Sequence, residues 1–483
     1  MKPSLEIGGG FVCYGNETFS FMEIITREEI EGVLKTRSQQ LVNKYLNQQT
    51  KQIVFNQKTI NDSIALNYEL QNIKFQNCEF NDSITFKSRT KSRSFIFSNC
   101  TFNGSIFING GEFNNLHFEN CKILNNVLNF SGGEFQTVRI ERCRIGELNF
   151  LKGKFNELHV GAFHHDTIID QVFINCSLVE GNLDFYRIIS LEFDIRGVNR
   201  PDSSITISES VIRNFILCEF TNNGKMRIKR LSFDFSKVIV VDREAFQEFL
   251  ERESAFNKYP YSAIFIQDSV LNNTELFSID FTDFEKVFMR ESSLINILIS
   301  NLIWPEEVLH YPIPQNEGID ALREKSKKDY HLIRENYRQL KYACSKQGDV
   351  VGEQHFHGLE MNAYSKSLKY SSKILDVLVL KFSYWTSNYG QSLWRPLLVG
   401  ILIIEGFFFW LLFLSGGTKF DSIDFTKGDN YIQTIAEFIR IINPLHKNDP
   451  ELTGLPFIVD TIIRILSSYF IYNIIRATRR FIK

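Results

Sequence analysis

Four cysteines, Cys78, Cys100, Cys121 and Cys143, follow one another at intervals of 22, 21 and 22 residues. A second set, Cys176, Gly197 and Cys218, recurs at 21 and 21 in the frames FINC, DIRG and FILC. Thiols gathered by a repeat can ligate a soft metal or exchange electrons, or they can fill a column of small apolar positions. None of the eight cysteines lies in a C-x-x-C pair, and a glycine at position 197 supplies no ligand, so packing is the expected role. His164, His165 and Asp166 fall in a loop, and His355 and His357, two apart on a helix, point to different faces. No residue is therefore assigned a catalytic, cofactor-binding or metal-binding role. The remaining chemistry is charge in apolar surroundings: Glu405 in one hydrophobic run, Asp460 and Arg464 in another.

The elements that position the cysteines follow from a shorter beat. Phe97, Phe102, Phe107, Phe113, Phe118 and Ile123 are spaced 5, 5, 6, 5 and 5. Helices repeat every 3.6 residues and strands every 2, so neither accounts for it. A coil of four short sides with one inward residue per side does. A fixed period of 21 or 22 residues with Asn, Gly and Ser turns signals a solenoid whose repeats bury their apolar faces by stacking. The expected fold is mainly β, a right-handed parallel β-helix over 50–303. An amphipathic helix is inserted near 242–259 (Phe246, Phe249, Leu250, Phe256), and 1–49 forms a partly helical cap that includes Ile30, Leu34 and Leu41. The 45 phenylalanines suit a stacked aromatic core.

After the linker 304–318, the region 319–369 reads as a helical hairpin, with Leu322, Tyr330, Ile333, Tyr337, Leu340 and Ala343 on one face and the turn KQGD between the helices. A juxtamembrane segment, 370–395, leads into 396–483, an α-helical membrane domain. There, 396–416 holds one charge in 21 residues, enough to cross a bilayer, and 455–475 is a second transmembrane helix carrying Asp460 and Arg464. Glu405 and Arg464 lie near the centres of antiparallel spans, so a carboxylate–guanidinium contact is expected at mid-depth; Asp460, one turn before Arg464, competes for it. Between the spans, Ile432, Ile435, Phe438, Ile439 and Ile442 form one face of a helix too short to cross. It is either re-entrant or interfacial.

Lys366, Lys369, Lys373, Lys381 and Arg395 precede the first span, and Arg476, Arg479, Arg480 and Lys483 follow the second. This bias places both ends in the cytoplasm of a cell whose inner membrane holds the protein. The N-terminus shows no basic region followed by an apolar run, so no secretory signal is expected and the thiols are reduced. A net charge of -2 gives no overall attraction to nucleic acid.

The repeat, the stretch YRQLKYACSKQGDVVGEQHFHGLE, the stretch SNYGQSLWRPLL entering the first span and the tail RATRRFIK together resemble bacterial pentapeptide-repeat membrane proteins. In this chain Phe replaces the usual Leu at many inward positions. The resemblance implies an architecture in which the C-terminal region is similar to two-span ion channels; it implies no substrate. A potassium-type filter such as TVGYG does not follow the short helix.

Two function classes remain. One is an oligomeric channel or membrane-permeabilising effector, its cytosolic β-helix acting as a sensor or protein-partner module; two spans cannot enclose a pore alone, so a homo-oligomer in the lipid bilayer is expected. The alternative is a membrane-anchored interaction scaffold without transport. A β-helix polysaccharide enzyme is disfavoured, because no coil face repeats the paired carboxylates such chemistry needs. The chain is read as a non-enzyme.

Overall fold

Each repeat folds into short strands that hydrogen-bond in parallel to the repeats before and after it. In the turn that begins at Ile73, strands cover Ile73–Gln76, Glu79–Phe80, Ile84–Phe86 and Lys91–Ser92, which gives the coil its four sides. Stacking gives a parallel β-solenoid of about ten turns. The computed structural model describes residues 23–35, 44–49, 52–70, 72–162, 166–233, 246–247, 249–252, 261–294, 296–305, 308, 327–368, 374–415, 428–445 and 453–479. Leu41, Phe256 and Leu322, and most of 242–259 and 304–318, lie outside them.

Phenylalanines stack along the axis. Phe55, Phe75, Phe97 and Phe118 form one column with ring centroids 4.8, 5.6 and 5.1 Å apart. Phe113, Phe135 and Phe155 form another at 5.3 and 4.8 Å. These distances are close to the ~4.8 Å between paired strands and fall in the range favoured for offset stacking. The beat of five is a corner-to-corner average. Within a side, inward residues alternate: Ile106 and Ile108 are buried and Phe107 between them faces outward, which corrects its assignment to the interior.

The corners explain the recurring Asn-Cys. Asn77, Asn99 and Asn120 hold φ of 52, 54 and 51°, a left-handed turn that Asn tolerates. Their side chains join into a ladder with Asn56, at 3.0, 3.1 and 2.8 Å. The cysteine after each corner turns inward.

Both ends of the solenoid are covered. At the N-terminal end, strand Glu23–Ile24 pairs with Lys58–Thr59, and helix α1 (Arg27–Lys35) buries Ile30, Val33 and Leu34. At the other end sit α2 (Lys327–Lys346) and α3 (Val350–Ser367). Ile333, Tyr337, Leu340, Ala343 and Phe356 join the solenoid core itself. Gln347 accepts from the Ile299 N–H and donates to the Ile297 carbonyl, both at 2.7 Å, while Gln339 accepts from the Leu294 N–H at 3.1 Å. Asn336 donates to the Met289 carbonyl. An exposed parallel edge templates further strands, and these amides occupy it instead. The described part of the insertion, Phe246, Phe249 and Leu250, packs on the outer residues Ile168, Ile189 and Leu191.

Two outcomes are expected. Gln347→Ala leaves the backbone N–H of Ile299 and the carbonyl of Ile297 without their partner, at a cost of about 1–3 kcal/mol in denaturant unfolding, together with concentration-dependent self-association. An unchanged midpoint would show that the hairpin does not seal the edge. The second concerns His357 on α3, whose pKa falls to about 4 through burial and the nearby Arg476 and Lys341. A histidine with a folded pKa below its unfolded value gains protons on unfolding. Stability is therefore level above about pH 6.5 and falls as pH drops toward 4, by about 2 kcal/mol after allowance for its partly wet side. Thermal unfolding of His357→Gln should lack that slope; if the slope persists, another group carries it.

Candidate functional site

The cysteine column is a packing device. Cys78, Cys100, Cys121 and Cys143 are each at most 1% exposed. Each Sγ lies 3.2–3.5 Å from the carbonyl two residues back and at a similar distance from a carbonyl of the coil below. The column continues in register through Thr167, Ile188, Ser210 and Leu231. Ser210 Oγ bonds the Ser208 carbonyl at 2.9 Å, as the sulfurs do two residues back. The position thus takes a buried side chain, a weak donor where it is Cys, Thr or Ser and an aliphatic one at Ile188 and Leu231. Burial and the adjacent thiols push Cys121 well above the ordinary thiol range, away from the reactive thiolate.

Cys176 and Cys218 do not belong to that column. Cys176 stands on a different side of the coil, two positions beyond Ile174, which pairs with Phe150, and its N–H bonds the Arg196 carbonyl. Cys218 pairs with Arg196, not Gly197, because Glu219 is an extra residue at a bulge where Gly197 meets Phe220. Cys218 consequently faces outward, in a patch with Ile216, Ala263, Phe265 and Phe288. Among the described residues no three His, Cys, Asp or Glu side chains form a metal-type cluster.

The helical region holds the less ordinary chemistry. Its elements are α4 (Ile374–Ser387), α5 (Pro396–Leu414), α6 (Gly428–Ile442) and α7 (Leu455–Thr478). Helices α5 and α7 are long and apolar enough to cross a membrane, with only 22% and 33% of their hydrophobic windows buried. A core helix of a water-soluble domain would be mostly covered. Here Leu402, Ile403, Phe407, Trp410, Ile458 and Ile465 are exposed.

Helix α5 is wound as a π-helix over Pro396–Glu405 and as an α-helix from Gly406. The change matters for its inner face. In an α-helix Gly400 and Glu405 would lie about 140° apart; the wider winding buries Pro396, Gly400 and Glu405 together. Gly400 lets the helices close up, since a Cβ there would sit 2.6 Å from Phe470 Cδ1. The buried face of α7 carries Asp460, Ile463, Ser467, Phe470 and Asn473.

Glu405 is 0% exposed, and neither carboxyl oxygen has a hydrogen-bond partner among the described residues. Its neighbour is Ser467, which is equally enclosed. The expected pair with Arg464 is not formed. Arg464 Nε bonds Asp460 Oδ2 at 3.0 Å, one turn earlier on the same helix. The competitor won because i,i+4 side chains on one helix meet without any constraint on how the two spans are rotated.

Helix α6 packs on the ends of both spans: Phe438 meets Phe409 edge-on at 5.2 Å, and Ile441 joins Leu412, Val459 and Ile463. Ile432, Ile435 and Ile439 point away and are exposed, with Ile442 partly covered, so the anticipated apolar face divides between helix packing and the surroundings. Helix α4 was not anticipated as an element, although Leu375, Leu378, Val379, Phe382 and Trp385 carry the three-and-four spacing that marks it. Ser467 had no signal in sequence beyond a polar residue inside a hydrophobic run. No family model matches this chain, and neither a curated protein nor a solved structure matches it.

Proposed function

We propose that this chain is an oligomeric membrane channel or membrane-permeabilising effector, of the bacterial pentapeptide-repeat kind, whose β-solenoid is a cytosolic sensor or protein-binding module. The observation that carries the reading is Glu405: a carboxyl fully enclosed between α5 and α7, facing Ser467 and without a hydrogen-bond partner among the described residues. A charge at the centre of a span costs roughly 2.5–3.5 kcal/mol on insertion scales, so such residues mark pathways for ions or protons. A passive anchor gains nothing from one. The exposed apolar sides of α5, α6 and α7 support lipid contact on one flank and contact with further copies on another. Two spans leave no closed lumen, so the conducting form is a homo-oligomer.

Trp385 and Trp394, both largely exposed, lie just before α5 and suit the headgroup level. The basic residues at the ends of the helical region support an inner-membrane placement with the solenoid and the C-terminus in the cytoplasm. The chain is read as a non-enzyme: the solenoid presents stacked amides and ion pairs on its described faces, a surface suited to a protein partner.

Purified protein in lipid vesicles should pass monovalent cations, and the isosteric Glu405→Gln should lower that flux at least tenfold while leaving assembly intact. Integrated wild-type protein that passes no ion under any gradient, with partner binding retained after removal of both spans, would leave the scaffold reading in its place. Topology is checked separately. A cysteine introduced at Asn430 should react with an impermeant reagent added outside the cell and one at Lys369 should not.

A further inference from the structure

The contact between α5 and α7 is layered. Gly400 meets Phe470 at one level, and Phe409 and Leu412 cluster with Val459 and Ile463 at another. Glu405 and Ser467 fall between these two apolar layers, five residues beyond Gly400 on one helix and three before Phe470 on the other. Both are 0% exposed, and neither the carboxyl oxygens nor the Ser467 Oγ has a hydrogen-bond partner among the described residues. No charged side chain among the described residues lies close enough to act on Glu405. The charges that α7 does carry inside the span, Asp460 and Arg464, bond to each other at 3.0 Å. An ionised carboxylate in this layer would have no counter-charge and one hydroxyl at most as donor, a costly state in a membrane. The neutral acid supplies its own O–H, and the Ser467 oxygen is an acceptor within the same layer.

We propose that the ion this protein moves is a proton, which Glu405 carries as a neutral carboxylic acid while the α5–α7 contact is closed. The inference rests on the channel reading and names its ion. Loading makes one O–H bond: hydronium on one side of the span gives its proton to the carboxylate and leaves as water. Release breaks that bond to a water on the other side. No other bond changes, and the carboxyl crosses its enclosed state without charge. A sodium or potassium ion does not suit the layer. Stripped of water, it needs a shell of oxygens, whereas the two side chains here offer a carboxyl and one hydroxyl. With its water kept, it is too large for a contact in which a Cβ on Gly400 would already lie 2.6 Å from Phe470 Cδ1.

The test uses the full chain in planar bilayers of phosphatidylcholine and phosphatidylglycerol, with pH and KCl gradients imposed separately. The reversal potential should follow the pH gradient and stay unmoved by the KCl gradient. Glu405→Gln, which keeps the size and loses the acid, should lose the proton current, and Glu405→Asp should keep part of it. A second readout needs no current. Dicyclohexylcarbodiimide, a lipid-soluble reagent, takes the O–H of a neutral acid across one C=N bond, and the adduct rearranges to a stable N-acylurea. Peptide masses should place that adduct on Glu405 and leave Asp460, ionised beside Arg464, unmodified. A reversal potential set by potassium overturns the proposal and leaves the channel reading standing. A proton current unchanged in Glu405→Gln, or a Glu405 that takes no label, also overturns it. Integrated protein that passes no ion at all removes the channel reading; a labelled Glu405 is then a neutral acid that serves packing alone, and the proposal falls with that reading.

Discussion

The spacing of parallel strands governs this molecule. Successive coils lie one strand-pairing distance apart, about 4.8 Å, so every inward position has a near-identical environment above and below it. A flat ring fills that interval, which is why phenylalanine follows phenylalanine in the columns through Phe97 and Phe113. After each corner one inward position is filled by cysteine in four successive coils, then by threonine, isoleucine, serine and leucine. The same interval lets Asn side chains bridge from coil to coil outside. Stability of this kind is distributed along a line, each coil depending mainly on its neighbours, so the two ends matter more than any single residue in the middle.

The helical region answers to a different constraint. Its helices present apolar residues to their surroundings, and between them, beside apolar contacts such as Leu412 with Ile463, they enclose the polar Glu405, Ser467, Asp460 and Asn473. The solenoid differs, with hydrophobic rings inside and ladders of amides outside. Gly400 against Phe470 sets how closely the two long helices approach, and the π-winding sets which residues of α5 face the contact. Both features act on the position of one carboxyl.

Much of the solenoid could be read directly from residue spacing, because a column repeats in sequence whenever coils have similar lengths. The reading failed where coil length and residue count part company. Cys176, Gly197 and Cys218 keep a 21-residue interval, yet the bulge at Glu219 shifts Cys218 by one position and turns it to the other face. Phe107 was misplaced for a related reason: the average beat hides the alternation within a side. In the helical region, hydropathy located α5 and α7, but depth along a span is one coordinate. The rotation of each helix decides contacts, and Arg464 met Asp460 instead of Glu405. A π-helical stretch has no recognised sequence pattern, so the alignment of Gly400 with Glu405 was not legible.

The hairpin has one further property. Gln347 holds the last coil through Ile297 and Ile299, while Gln354, on the next helix, donates to the carbonyl of Arg476 at the end of α7 at 3.0 Å. Gln391, between α4 and α5, donates to the carbonyl of Gln354 at 2.7 Å. A rod of ten stiff coils, roughly 50 Å long, is thus fastened at one end to a short joint that also grips the tail of a long apolar helix. In mechanical terms the rod is a lever arm and the hairpin its fulcrum. A force applied at the far tip of the solenoid would act on the hairpin, and through Gln354 on the Arg476 carbonyl, as a torque proportional to the length of the arm.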